Sequence, residues 1–440
     1  MTLLFNSWLI SAYCVWTSAK IACKSQEMQT SMIYRAAEAR ALAAGSRCRR
    51  RWWKISAVTA VFYITVCNCP TPVTANRGDN NAPAAQALLG QQLAYRNRIK
   101  ELWKLNIARE MRAHYCETAT GEEIGWLISP ILNGLYYGYL ATADTRWIDG
   151  LISCANDWVR RAVVEPDGYP GWPKVGAAGT PVDDLDSYYA DSLLGEAMAL
   201  RPVVLLSSLI TKDTTLRNRY GSQAAGYIRL AGSIFRKWQD RGAWRPVAAG
   251  YISIVLPFGI DRATGRWTNG YANRNSPTIG FSHPDNKANL VASWLLAMFD
   301  ATGNPEYRTL ADNWFRVMKS RMVAADDGTY RIWNYWEPAG AWDYNAAGRP
   351  KHWIGVHPNP GYYDIDVTAI VAAYAHGLEF SHDDIDRLVR TDAGQTTVWP
   401  ALVPYDPGIR QRFEQTLDPS SWAGLTLAPW YLALLEHPLR

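Results

Sequence analysis

The chain has 440 residues, enough for one large domain or two ordinary ones, and 48% of them are hydrophobic, as in a globular protein. Its formal charge of +5 sits in a leader: residues 1–75 hold nine Lys/Arg and two Asp/Glu, which leaves 36 basic against 38 acidic residues, a net charge of −2. That balance, with no basic stripe to track a phosphate backbone, excludes nucleic acid as a partner.

The leader reads as an export signal. Arg47, Arg49, Arg50, Arg51 and Lys54 form a positive n-region, Ile55–Cys67 an apolar run, and Val73-Thr74-Ala75 a small-residue cleavage site. The run is short for a membrane span. The mature protein is therefore expected to begin near Asn76, to be secreted or periplasmic, and to have no stable membrane association after cleavage; an uncleaved anchor is the alternative. Residues 1–46 carry a second apolar run, Leu3–Trp16, which a true start near Met32 would explain. Five of the seven cysteines lie in the leader. Cys116 and Cys154 remain; they could pair in an exported protein, but two cysteines make no disulfide framework. Residues 76–87 read as a linker and 88–440 as a single catalytic domain.

Helical periodicity then organises the chain. A long amphipathic helix is expected over Ala87–Tyr115. Trp126–Ala141 and Arg146–Val163 follow as a pair, and after a Gly/Pro-rich stretch Ser187–Leu209 and Leu216–Arg241 form a second. Asp285–Ala301 and Pro305–Met322 are a third, with Thr302-Gly303-Asn304 as stop and cap signals and Pro305 at the first helical position. Ile365–Leu378 and Asp383–Arg390 make a shorter pair around Ser381, and Leu425–Glu436 a final helix. Helix, short turn, helix, long loop recurs at roughly 70–85 residues, the period of a hairpin array. Short turns pair helices antiparallel. The expected fold is all-α, an α/α toroid of about five to seven hairpins, its first and last helices pairing to complete it. Its long loops gather at one end as a cleft.

The longest loop, Thr329–Val367, dominates that end. It has no helical or strand period and is too rich in aromatics for disorder. It carries Arg331, Trp333, Tyr335, Trp336, Glu337, His352, His357, Tyr362 and Tyr363. The simpler reading is an aromatic cluster covering one end of the core. Across the chain 21 Trp and 24 Tyr outnumber nine Phe, a preference for flat rings with a polar handle that suits sugars. His283, Asn286 and Lys287 cluster where a helix begins, with Ser282 or Asp285 as its cap and Pro284 near N1. Arg245 and Tyr251 form a second-tier pair in the irregular stretch 242–284. Asp183-Asp184-Leu185-Asp186 reads as a helix cap near Ser187 rather than a metal site. HExxH, EF-hand, CxxC, P-loop, GxSxG and Rossmann patterns are absent, and no metal or cofactor is expected.

With His283-Pro284-Asp285-Asn286, Tyr335-Trp336-Glu337-Pro338 and His357-Pro358-Asn359-Pro360-Gly361-Tyr362-Tyr363 in view, the chain resembles the α/α-toroid polysaccharide lyases, the glucuronan and alginate lyases above all, over about residues 88–440. The resemblance implies metal-independent β-elimination at a uronic acid of an acidic polysaccharide. Asn286, Arg331 and Glu337 would neutralise the carboxylate. Tyr335 or Tyr363 would serve as base and acid, with His283 or His357 as partner base. Trp336, Arg245, Tyr251 and Tyr188 would help bind substrate. Two rivals remain. A glycoside hydrolase or uronyl epimerase on the same toroid could, as a hydrolase, use Glu337 with Asp184 or Asp366. A non-catalytic glycan-binding protein would need only the aromatic cleft.

Overall fold

A computed structural model describes residues 82–165, 167–175, 189–254, 259–261, 266–268 and 280–416. The leader, Asp183, Asp184, Asp186, Tyr188 and the expected final helix lie outside the described residues.

The described chain is all-α apart from short two-stranded ribbons. Helix α1 spans Ala82–Met111 and the single turn α2 spans Tyr115–Thr118; a π turn at Ile124–Ile128 runs directly into α3, Ser129–Thr142. The hairpins follow: α3 with α4 (Arg146–Val159), α5 (Leu193–Lys212) with α6 (Thr214–Asp240), α7 (Asp285–Thr302) with α8 (Pro305–Arg321), and α9 (Gly361–Ala375) with α10 (His382–Ala393). A further helix, α11 at Pro407–Thr416, lies in a stretch that reads as loop in the sequence.

Each turn has a local cause. Ala143 closes α3 at φ 54°, in the left-handed region. Asp213 ends α5 and caps α6 by accepting the Leu216 N–H at 2.9 Å. Gly303, at φ 70°, and Asn304, which accepts the Glu306 N–H at 3.1 Å, make the α7–α8 turn that the sequence predicts. Ser381 forms a capping box with Asp384 at the start of α10. Three starts differ from expectation. Helix α1 begins at Ala82, inside the stretch read as linker. Helix α5 begins at Leu193 because Ser192 caps it through Gly195 N–H at 3.1 Å. Helix α9 begins at Gly361, whose N–H donates to Asn359 Oδ1 at 3.0 Å.

The inner helices α3, α5, α7 and α9 pack each against the next, and their partners lie outside them. This double-layered array is the α/α-toroid architecture. Position in it dictates composition. Outer helices need one apolar stripe, as in α4 and α10; an inner helix is covered on several sides and is apolar nearly all round. Helix α5 is the extreme case: it is long and apolar enough to cross a membrane, yet almost all of it is buried inside the protein. Trp158, Trp172, Trp238, Trp294 and Trp399 fill the core between layers. Cys116 on α2 and Cys154 on α4 form a disulfide that closes a separation of 38 residues.

The segment between α4 and α5 is held by buried charge. Lys237 on α6, fully buried, donates to Asp191 Oδ2 at 2.8 Å and Glu196 Oε1 at 2.6 Å, and Arg241 donates to Glu165 Oε2 at 2.7 Å. Removing one partner from such a group strands the others in a dry interior. A Cβ on Gly171 would fall 2.5 Å from both the Asp191 and Glu165 oxygens, so only glycine fits beside them.

Candidate active site

The starts of α3, α7 and α9 and the long loop after α8 share one end of the array. The loop is clamped to the start of α7. Asp343, wholly buried, accepts the Ser282 N–H at 2.6 Å and its hydroxyl at 2.8 Å, and also the Ala339 N–H at 2.6 Å. Trp336 Nε1 donates to Ser282 O at 2.8 Å. The Tyr335 N–H donates to Gly355 O at 2.8 Å, and its carbonyl accepts the Asp285 N–H at 3.1 Å. Ser282 is thus a loop anchor rather than a cap; Pro284 occupies the cap position and Asp285 the first turn.

This clamping builds a hollow of rings beside the main core. Tyr335, Trp336 and Phe281 form a small buried cluster with Tyr362 against it. Around the Tyr335 ring lie His357 at 4.9 Å, Tyr362 at 5.1 Å, His352 at 5.7 Å and Trp353 at 6.5 Å between centroids. Tyr335 is only 9% exposed, and its hydroxyl makes no hydrogen bond among the described residues. Burial, then the neighbouring Tyr362, pushes its pKa up, so it holds its proton and can donate a hydrogen bond to a ligand. His352 and His357 each accept a backbone N–H at Nδ1, from Trp353 at 2.7 Å and Asn359 at 3.0 Å. That fixes the Nε2–H tautomer of His357, and burial lowers both pKa values.

A charge lies at the foot of the hollow. Glu122, just before the π turn, accepts Lys287 Nζ at 2.9 Å and Trp126 Nε1 at 3.0 Å. Both donors take Oε1, so Oε2 has no partner among the described residues. The Glu122 side chain keeps 15% of its surface open. Burial pushes its pKa up, but the Lys287 charge and the two hydrogen bonds outweigh burial and hold it below the usual range. Glu122 is therefore ionised at neutral pH. His283, Asp285 and Lys287 stand together at the start of α7; Glu122 pairs with Lys287 and the Tyr335 carbonyl accepts the Asp285 N–H, so these groups share one neighbourhood. His283 Nδ1 lies 2.9 Å from Ser253 Oγ, and burial, then the Lys287 charge, lowers its pKa to about 3. It is a neutral imidazole.

Glycines place Glu122. A Cβ on Gly125 would lie 2.9 Å from Gly195 Cα, and one on Gly195 would lie 2.7 Å from Gly121 O. The π turn can approach the first turn of α5 only because neither position has a side chain. Such turns widen a helix locally and are frequent at functional sites.

Beneath the hollow the polar groups are committed to structure. Asp285 pairs with Arg321, which also donates to Glu337 O at 3.1 Å; burial raises Asp285 to about 6 despite that partner. Asp366 accepts Asn289 Nδ2 at 2.7 Å and Trp333 Nε1 at 2.9 Å, and burial holds its pKa well above the carboxylate range. The Tyr363 hydroxyl accepts the His357 N–H at 2.7 Å and donates to Trp333 O at 3.2 Å.

Of the residues singled out in the sequence, Tyr335, His357, Trp336 and His283 come together here. Asn286 is beside them but 1% exposed, its Oδ1 accepting the Lys287 N–H at 2.9 Å and its Nδ2 buried without a partner. Glu337 is half-buried and accepts Asn334 Nδ2 at 2.7 Å. Tyr363, engaged on both sides of its oxygen, ties the loop together rather than facing a ligand. Arg331 is exposed, its backbone paired with Val323 at 3.0 Å, and no contact among the described residues joins its side chain to the rings. Arg245 and Tyr251 sit on a ribbon outside the hollow: the Arg245 guanidinium folds back over Gly242, and Tyr251 stands beside Gly250, whose Cβ position falls on the backbone of Asn313 in α8. Tyr188 and Asp184 lie outside the described residues. Sequence reading missed Glu122. Its only local sign is Gly121-Glu122-Glu123 before a helix, which reads as an ordinary acidic first turn.

No family profile and no curated protein matches the chain. Among solved structures it is similar to an inactive double Asp-to-Asn variant of the alpha-1,6-mannanase GH76A of Salegentibacter sp. HEL1_6 in complex with alpha-1,6-mannotriose, at 13% identity and a TM-score of 0.41, over 77% of this chain and 98% of that one. The lyase expected from the sequence is corrected here on the charges of the site. Elimination at a uronate calls for an unpaired positive charge beside the carboxylate. Lys287 and Arg321, the cations at the foot of the hollow, are already paired with Glu122 and Asp285, and Arg331 stands apart.

Proposed function

We propose that the protein is an exported glycoside hydrolase. The observation that carries this is Glu122: an ionised carboxylate with one oxygen unbonded among the described residues and a small opening to solvent, at the foot of an aromatic hollow. Sugar rings have apolar C–H faces and polar edges, which match rings carrying N–H and O–H handles. Tyr335, with a proton it does not release and no partner among the described residues, donates a hydrogen bond to a sugar oxygen.

Hydrolysis needs a carboxylate to activate water or attack carbon, and an acid to protonate the leaving oxygen. Glu122 takes the first role because Lys287 and Trp126 keep it charged. Glu337, two residues after Tyr335 and half-buried, takes the second. Asp366 is excluded from either: both its oxygens are taken and it lies under Trp333. Export is supported by the Cys116–Cys154 disulfide, a bond that persists in oxidising compartments.

The test is incubation with a panel of neutral and acidic polysaccharides, followed by reducing-end release and near-ultraviolet absorbance, where the conjugated C=C–carboxylate product of an elimination absorbs. New reducing ends without absorbance support the proposal. Absorbance, or no cleavage of any glycan, rejects it.

A further inference from the structure

One feature of the hollow's mouth goes beyond a single sugar ring, and it rests on the reading of that hollow as a sugar site. Trp353, Ile354 and Val356 are 48%, 44% and 51% exposed, though all three are large and apolar. They flank Gly355, whose carbonyl holds the Tyr335 N–H. The exposed strip is therefore fastened to the wall of the hollow.

Trp353 is also held in place. Its backbone N–H donates to His352 Nδ1 at 2.7 Å, and its ring packs against Tyr335 at 6.5 Å and meets His357 edge-on at 6.1 Å. Gly355 has φ 154°, a value side chains avoid, and a Cβ there would fall 2.7 Å from the Trp353 ring. Any other residue would push the indole away. The glycine thus lets a half-exposed tryptophan lie flat against the loop backbone, its outer face open to a ligand. A patch of three side chains is too small for a stable protein interface, whereas one indole face matches one sugar ring.

We infer that Trp353, flanked by Ile354 and Val356, is a second sugar subsite outside the hollow, so that the substrate is a sugar chain running past Tyr335 rather than a mono- or disaccharide. Trp353 then determines preference for length.

The experiment compares wild type, Trp353→Ala and Trp353→Phe on oligosaccharides of the glycan that wild type cleaves, from the shortest substrate upward, with thermal unfolding to verify the fold. The ratio of kcat/KM for long over short substrates falls about tenfold or more in Trp353→Ala, as loss of one buried aromatic contact predicts, and is largely restored in Trp353→Phe. Any smaller fall in the ratio, or an equal loss on every length, overturns the inference while leaving the hydrolase intact. If wild type cleaves nothing, the hydrolase reading fails by itself and affinity electrophoresis in glycan-containing gels decides the subsite. Retardation of wild type that Trp353→Ala abolishes supports it; equal mobility of the two, or no retardation at all, overturns it.

Discussion

Glu122→Gln separates chemistry from packing. The amide keeps the shape and still accepts the Trp126 N–H, but the charge facing Lys287, 2.9 Å away, is gone. A hydrogen bond between charged groups contributes about 1.5–3 kcal/mol when buried. Lys287 keeps 27% of its side chain in solvent and can rehydrate, so the loss of stability is about 1–2 kcal/mol. In a protein of this size that lowers Tm by about 1–3 °C, and the variant stays folded at 25 °C. Activity responds on a different scale: losing a positioned acid or base lowers the rate by about 10²–10⁴, or about 3–5 kcal/mol of barrier. The assay is kcat/KM from reducing-end release at pH 7, alongside calorimetric unfolding. A loss of activity below about tenfold in a folded variant would refute the assignment of Glu122.

Other perturbations test the frame around it. His283 has a folded pKa of about 3 against an ordinary value of 6.5, so the unfolded state binds the extra proton between those values; its stabilising effect is complete above 6.5 and is lost as pH falls toward 3. His283→Gln should therefore flatten the loss of stability between pH 6.5 and 4 in urea titrations, and an unchanged slope contradicts the buried neutral imidazole. Asp285, raised to about 6, acts with the opposite sign over its own range and must be subtracted with an Asp285→Asn control. Reducing the Cys116–Cys154 bond, or Cys154→Ser, frees a 38-residue separation and should cost about 4 kcal/mol by loop-closure entropy, read as a large fall in Tm. Gly195→Ala places a methyl 2.7 Å from Gly121 O and should cost about 1–3 kcal/mol while displacing Glu122 and reducing activity; a variant of wild-type activity would show that the close approach does not position that carboxylate.

The helical frame was legible because burial imposes a period. Thr302-Gly303-Asn304-Pro305 stops one helix and starts the next through contacts within four residues, so its turn was visible from local chemistry alone. The long loop also announced itself, through rings without a period. What could not be read were partners chosen across the fold. Lys287 and Glu122 are 165 positions apart, and nothing near either names the other. Tyr363 looked as available as Tyr335, and only the fold shows that its oxygen is taken by His357 and Trp333. Asp366 illustrates the same point: in sequence it is an acid at a helix start, but two donors and a tryptophan above it make it part of the scaffold. The lyase expectation arose from His, Tyr and Asn types at plausible spacings, whereas the chemistry depends on which charges remain unpaired.

On the function proposed above, water activated at Glu122 cleaves a glycosidic bond. Digestion in ¹⁸O-labelled water followed by mass spectrometry of the products tests it most directly. One heavy oxygen should enter at each new chain break, and Glu122→Gln should abolish the signal with the fold intact. Fragments that are lighter by one water and carry no label would contradict the account.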